Sequence, residues 1–158
     1  AREAGMIISI DMASYNVVVS NNPFLHDIVE NYVDIVFANE TEALSFTGKE
    51  PREALRDIAG ICDIAVVKLG KLGSIVKSGD REYDIKPWPG TSIDATGAGD
   101  LYAAGFLYAH SLGLSLQKCG DIGSMVAAKV VEVVGPKIDI PRWKAVKQEI
   151  RERIQDPE

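Results

Sequence analysis

Three short β-branched runs, each stopping at a polar or glycine residue and each followed by turn or helix-start chemistry, leave few folds open to this chain. Residues 6–10, "MIISI", end at Asp11; residues 33–38, "VDIVFA", end at Asn39; residues 64–70, "IAVVKLG", run into a Lys-Leu-Gly turn. Runs this apolar suit parallel strands covered on both faces. After the first, "NNPFLHDIVENY" predicts a helix with Asn22 as its cap and Pro23 in its first position. After the second, "NETEALSFTG" predicts a helix that stops at Gly48, and "PREALRDIAG" predicts another opened by Pro51. "GSIVKSGD" and "REYDIKPW" alternate around Gly79-Asp80 and predict a hairpin. Beyond Pro87 and Pro89, three helices are expected at residues 98–111, 116–133 and 141–154. Strands alternating with helices, then a helical end, predict an α/β layered fold with a mostly parallel sheet flanked by helices.

The chain has 158 residues, enough for one real core and too few to expect two, so residues 1–158 are read as a single domain. "AREAG" reads as the tail of a helix running straight into a strand, and the expectation is that this domain is incomplete. A net charge of −6 argues against nucleic acid or an anionic membrane as the main partner, since both select a basic face. Cys62 and Cys119 lack metal or redox spacing and read as reduced thiols of a cytoplasmic protein. His26 and His110 are too isolated for a zinc site. The longest uncharged run, residues 101–117, falls short of the ~20 residues of a membrane span and reads as a core helix.

The stretch "DATGAGDLYAAGFL", residues 94–107, carries the chemistry. Gly97, Ala98 and Gly99 can point successive backbone N–H groups into one concavity at a helix N-terminus, and such a nest binds phosphate oxygens. Asp100 in the same turn would merely repel a phosphate, unless it works as a base on an incoming hydroxyl while the nest holds the developing charge. The competing reading makes Asp100 a first-turn acid favoured by the helix dipole. The strand ends carry Asp11, Asn39, Glu42 and Gly70, and in α/β sheets ligands bind outside the carboxyl ends of strands. With the loop 94–100 these positions make one candidate site.

These residues resemble the carboxyl-terminal signature of the ribokinase-like (PfkB-type) sugar and nucleoside kinases. Ala95 departs from it, standing where the family pattern has Pro, Ser, Thr or Val. "NETE" is similar to the family's Asn-x-x-Glu motif at Asn39 and Glu42, and "KLGKLGS" is similar to its strand followed by a glycine-rich nucleotide loop. The order of these motifs resembles the carboxyl-terminal half of such a kinase. The resemblance implies Asp100 as catalytic base and Gly97, Ala98 and Gly99 as an anion hole for the transferred phosphoryl group. It implies that Lys68, Gly70, Gly73 and Asn39 contact ATP, and that Asn39 and Glu42 place Mg²⁺ through its waters. Asp94 and Thr96, with Gly135 in a later loop, match positions that bind a monovalent cation such as K⁺. The implied acceptor is a small sugar or nucleoside, and a homo-oligomer is compatible with it.

Two other phosphate folds fail on spacing. A dinucleotide fingerprint would need a third glycine where Tyr102 stands, and a P-loop would need Gly-Lys-Ser/Thr where Gly70-Lys71-Leu72 stands. A non-catalytic nucleotide-binding piece lacking the acceptor site is the alternative reading. Asp11 also reads as a satisfied loop acid, with Asn16 following it, and Trp88, Tyr83 and Phe106 read as packing aromatics rather than adenine platforms.

Overall fold

A computed structural model describes residues 1–155 and divides the chain into two compact units, residues 1–84 and the part from Ile85 onward. The first unit is built on a five-stranded sheet in the order β1 (Ser9–Asp11), β2 (Ile35–Asn39), β3 (Ile64–Lys68), β4 (Ser74–Ser78) and β5 (Arg81–Ile85). β1, β2 and β3 pair in parallel, and β4 returns antiparallel to β3. Four residues in succession are buried in both β2 and β3, as strands covered on both faces require. The core on one face joins Val36, Ala38, Ala65 and Val67 to Leu25, Val29, Phe46, Leu55 and Ile58 from the connecting helices.

β1 is shorter than the apolar run that predicts it. Met6 and Ile7 are exposed, and the Ile8 N–H is taken by the Asp34 carboxylate at 2.6 Å. The amino-terminal "AREAG" forms only a 3₁₀ turn, Arg2–Ala4. The helix expected to open at Asn22 and Pro23 is in fact α1 (Tyr15–Tyr32), capped by Ser14 and broken by non-helical angles at Asn21. Pro23 therefore opens the second segment rather than the helix. Asn22 donates its side-chain amide to the Ser45 and Phe46 carbonyls at 3.0 and 3.1 Å, which ties that bend to the end of α2 (Glu40–Thr47). α2 stops at Gly48, whose φ of +74° suits glycine, and α3 (Pro51–Ala59) begins at its proline. Arg52 and Arg56 of α3 pair with Glu82, and Arg52 also with Asp84, on β5.

The second unit is helical: α4 (Ala98–Ser111), α5 (Leu116–Val131) and α6 (Ile140–Gln155). Tyr102, Gly105, Phe106 and Ala109 form the buried stripe of α4 at helical spacing. α5 is buried nearly all round. The two helices approach closely: a Cβ on Gly123 would lie 2.8 Å from the Tyr102 carbonyl oxygen. Each unit holds one free cysteine, Cys62 in the first and the buried Cys119 in the second. Burial pushes their thiols up to about 12 and about 11. Among the described residues no helix is long and apolar enough to cross a membrane.

Candidate active site

In the first unit the parallel register sets Asn39 beside Lys68 at the carboxyl ends of β2 and β3, while Asp11 ends β1. β1 and β3 flank β2, so they stand roughly 9–10 Å apart. Lys68 nevertheless reaches across the end of β2, and its Nζ lies 2.6 Å from Asp11 Oδ2. The pair is mostly enclosed, its side chains 14% and 29% exposed. Asp11 Oδ1 accepts the Ala13 N–H at 3.0 Å, and Ala13 holds a φ of +62° that a residue with a Cβ rarely adopts. Asp11 and Lys68 lie 57 positions apart, and only the rule that parallel strands gather their carboxyl ends could have suggested their pairing.

Asn39 and Glu42 form a complete capping box on α2. The Glu42 N–H donates to Asn39 Oδ1 at 2.9 Å; the Asn39 N–H and side-chain amide donate to Glu42 Oε2 and Oε1, both at 2.7 Å. Glu42 is 3% exposed. Its carboxylate is thus committed to Asn39, and the pair does not fit as direct magnesium ligands. What it retains is the second lone pair on each oxygen, suited at most to water. Among the described residues no group of three or more His, Cys, Asp or Glu is arranged to hold a metal.

The "KLGKLGS" segment closes as a 3₁₀ turn, Gly70–Leu72, between β3 and β4. The Leu69 N–H donates to the Gly73 carbonyl at 2.8 Å, and Gly73 at φ 94°, ψ −130° occupies a conformation reserved for glycine. Nothing lies within 4 Å of where a Cβ of Gly70 would be, so that backbone is open to a ligand's approach.

In the second unit, Gly97 caps α4 in the left-handed region at φ +80°. A Cβ there would also meet Pro136 at 2.8 Å, so packing alone already demands glycine. The Ala98 N–H turns back to the Ala95 carbonyl at 3.1 Å. Gly99 and Asp100 hold the next two helical positions, whose N–H groups have no acceptor within a helix. The side chain of Asp100 is exposed in this first turn. Asp94 ties its loop to the one that follows α5: its carboxylate accepts the Thr96 hydroxyl at 2.7 Å, the Thr96 N–H at 2.9 Å and the Gly135 N–H at 2.8 Å. The Thr96 hydroxyl foremost, then the two N–H groups, hold Asp94 below the usual carboxylate range. Asp94, Thr96 and Gly135, the positions matched above to a monovalent-cation site, are thus joined to one another by hydrogen bonds.

The aromatics pack as expected. Phe106 is fully buried in the second unit's core, and the Arg153 guanidinium covers the Trp88 ring at 4.6 Å from its centre. Tyr83 is half-buried on β5, and Asn16 is exposed in the first turn of α1.

Known proteins extend this geometry. The chain is 34% identical over 145 residues to a nucleoside kinase of Methanothermobacter thermautotrophicus, covering 89% of this chain and 45% of that protein. It is similar to the crystal structure of a probable sugar kinase from Rhizobium etli, at a TM-score of 0.88 and 35% identity, over 94% of this chain and 46% of that one. A putative ribokinase II from E. coli, in complex with ATP and Mg²⁺, shares the fold at a TM-score of 0.79 and 22% identity, over 98% of this chain and 50% of that one. The fold is ribokinase-like, and the chain spans less than half the length of the curated relatives it first matches. A family model described as pfkB family carbohydrate kinase matches residues 9–143, most of the chain, which therefore belongs to that family of sugar and nucleoside kinases.

Proposed function

We propose that this sequence supplies the phosphoryl-donor side and the base of an ATP-dependent kinase acting on a hydroxyl of a sugar or nucleoside. The observation that carries the reading is the exposed Asp100 carboxylate in the first turn of α4, directly after the left-handed Gly97. Asp100 takes the proton of the acceptor hydroxyl as the hydroxyl oxygen attacks the γ-phosphorus, and the bond from that phosphorus to the β–γ bridging oxygen breaks to release ADP. The N–H groups around Gly97, Ala98 and Gly99, aligned with the α4 dipole, hold the charge growing on the transferred group. Since Ala98 donates to Ala95 in this structure, the Gly99 and Asp100 N–H groups are the better placed donors. Lys68, Gly70, Gly73 and Asn39 receive the nucleotide. Bound Mg²⁺ would neutralise phosphate charge, and Asn39 and Glu42 would meet it only through its water shell. A monovalent cation such as K⁺ is assigned to the loop of Asp94 and Thr96, and no step depends on it. The order of the three motifs supports reading residues 1–158 as the carboxyl-terminal part of a ribokinase-like kinase domain.

The second reading, a nucleotide-binding piece without an acceptor site, is favoured by the share of the relatives' length that the chain spans. ADP release with sugar and nucleoside acceptors tests both. In an enzyme carrying this sequence, Asp100→Asn should cut turnover by roughly 10²–10⁴ while ATP affinity changes little. Turnover within a few-fold of wild type would remove Asp100 as the base. ATP binding without acceptor-dependent ADP release by the 158-residue chain itself would favour the second reading.

A further inference from the structure

We infer that Asp11 is a positioning residue that holds the Lys68 ammonium over the carboxyl ends of the sheet as a phosphate-binding group. The inference rests on the reading of Lys68 as a nucleotide contact and adds a residue to it. Lysine is a flexible point charge that loses rotamer freedom when a ligand fixes it. Here that freedom is already spent: Lys68 is drawn across the end of β2 and held at 2.6 Å by Asp11. Asp11 cannot follow the lysine outward, because its other oxygen is bound to the Ala13 N–H in a turn of left-handed backbone, with Met12 buried between them. One carboxylate oxygen uses one of the three ammonium protons, and two remain for an incoming anion.

A purely stabilising role explains the pair less well. Taking two charges largely out of water offsets much of their attraction, so a part-buried ion pair is weak evidence for stability alone. The place also matters, for ligands of parallel sheets bind at the carboxyl ends of the strands, and this pair spans three of them. In protein kinases a comparable lysine meets phosphates only while a carboxylate holds it.

Binding of ATP to the 158-residue chain, measured by calorimetry, tests this with Lys68→Ala, Asp11→Ala, Asp11→Asn and the Lys68→Ala/Asp11→Ala double variant. Lys68→Ala should weaken ATP by about tenfold or more, the size of a lost charge-assisted hydrogen bond. Asp11→Ala should weaken it by about three- to tenfold, the cost of ordering one long side chain on binding. In the double variant the loss should match Lys68→Ala alone, since Asp11 acts only through the lysine. Asp11→Asn keeps an oxygen for the Ala13 N–H but turns an NH2 donor toward the Lys68 ammonium, so it preserves the turn while releasing the lysine. It should lose affinity about as far as Asp11→Ala, and it carries the test if the alanine variant does not fold. Unchanged or tighter ATP binding in both Asp11 variants, with Lys68→Ala impaired, would overturn the positioning role alone. No loss of affinity in Lys68→Ala would instead remove Lys68 from the nucleotide site, and this inference with it.

Discussion

Glu42 shows how one spacing serves two chemistries. Asn-x-x-Glu is the spacing of a family motif and equally the spacing of a capping box, and residue types cannot choose between them. The structure commits both carboxylate oxygens to Asn39 and leaves Glu42 only 3% exposed. Three hydrogen bonds close this ring, and a glutamine cannot complete it. Its amide nitrogen would face an Asn39 donor, and turning the Asn39 amide over would lose the bond from the Glu42 N–H. Glu42→Gln should therefore destabilise the fold by about 1–2 kcal/mol, the range of a lost cap with a buried donor left unpaired. A urea midpoint unchanged from wild type would contradict this, and a magnesium titration of the variant has meaning only beside that measurement. Asp94 was legible in a similar half-sense. The motif named it, with Thr96, only as a monovalent-cation position, and the hydrogen bonds that join it to Thr96 and Gly135 were not foreseen.

At the scale of elements, reading was best where caps and periodicity agreed. The start of α4, the stop of α2 at Gly48 and the hairpin at Gly79 all follow from glycine's access to left-handed backbone. It was poorest at α1, whose first segment contains three consecutive valines that favour a strand. There the Ser14 cap and the burial of Val18 override local preference, and Asn21 takes up the bend before Pro23. The α4–α5 contact was not legible, because a glycine inside a helix does not reveal what it faces. Gly123 is a place where ordinary helix propensity should mislead. Alanine there would gain about 1 kcal/mol as a better helix former. Its Cβ, however, would sit 2.8 Å from a backbone oxygen of α4, and forcing two helices apart typically costs about 1–3 kcal/mol. Gly123→Ala should thus lower the thermal midpoint; a rise would show that the helices yield without cost.

For the whole molecule, the alternation of strand and helix signals was enough to predict the layered α/β fold, and three motifs in order to indicate the family. The division into two compact units was not foreseen, since no linker composition marks residue 84. The acceptor of the proposed reaction was not legible either, as apart from Asp100 no residue of the chain was assigned to contact one. Met6, Ile7, Val17, Val19 and Phe24 of the first unit are exposed. The two thiols carry a different consequence. A neutral, enclosed thiol reacts with an alkylating reagent only when its surroundings open, so labelling speed reports the frequency of opening. With Cys62 in one unit and Cys119 in the other, the chain carries a separate clock for each. Iodoacetamide in native buffer, followed by peptide mass spectrometry, should modify the fully enclosed Cys119 more slowly than the half-buried Cys62. Modification of Cys119 at the speed of a free thiol would mean that the helical unit breathes far more than its packing suggests.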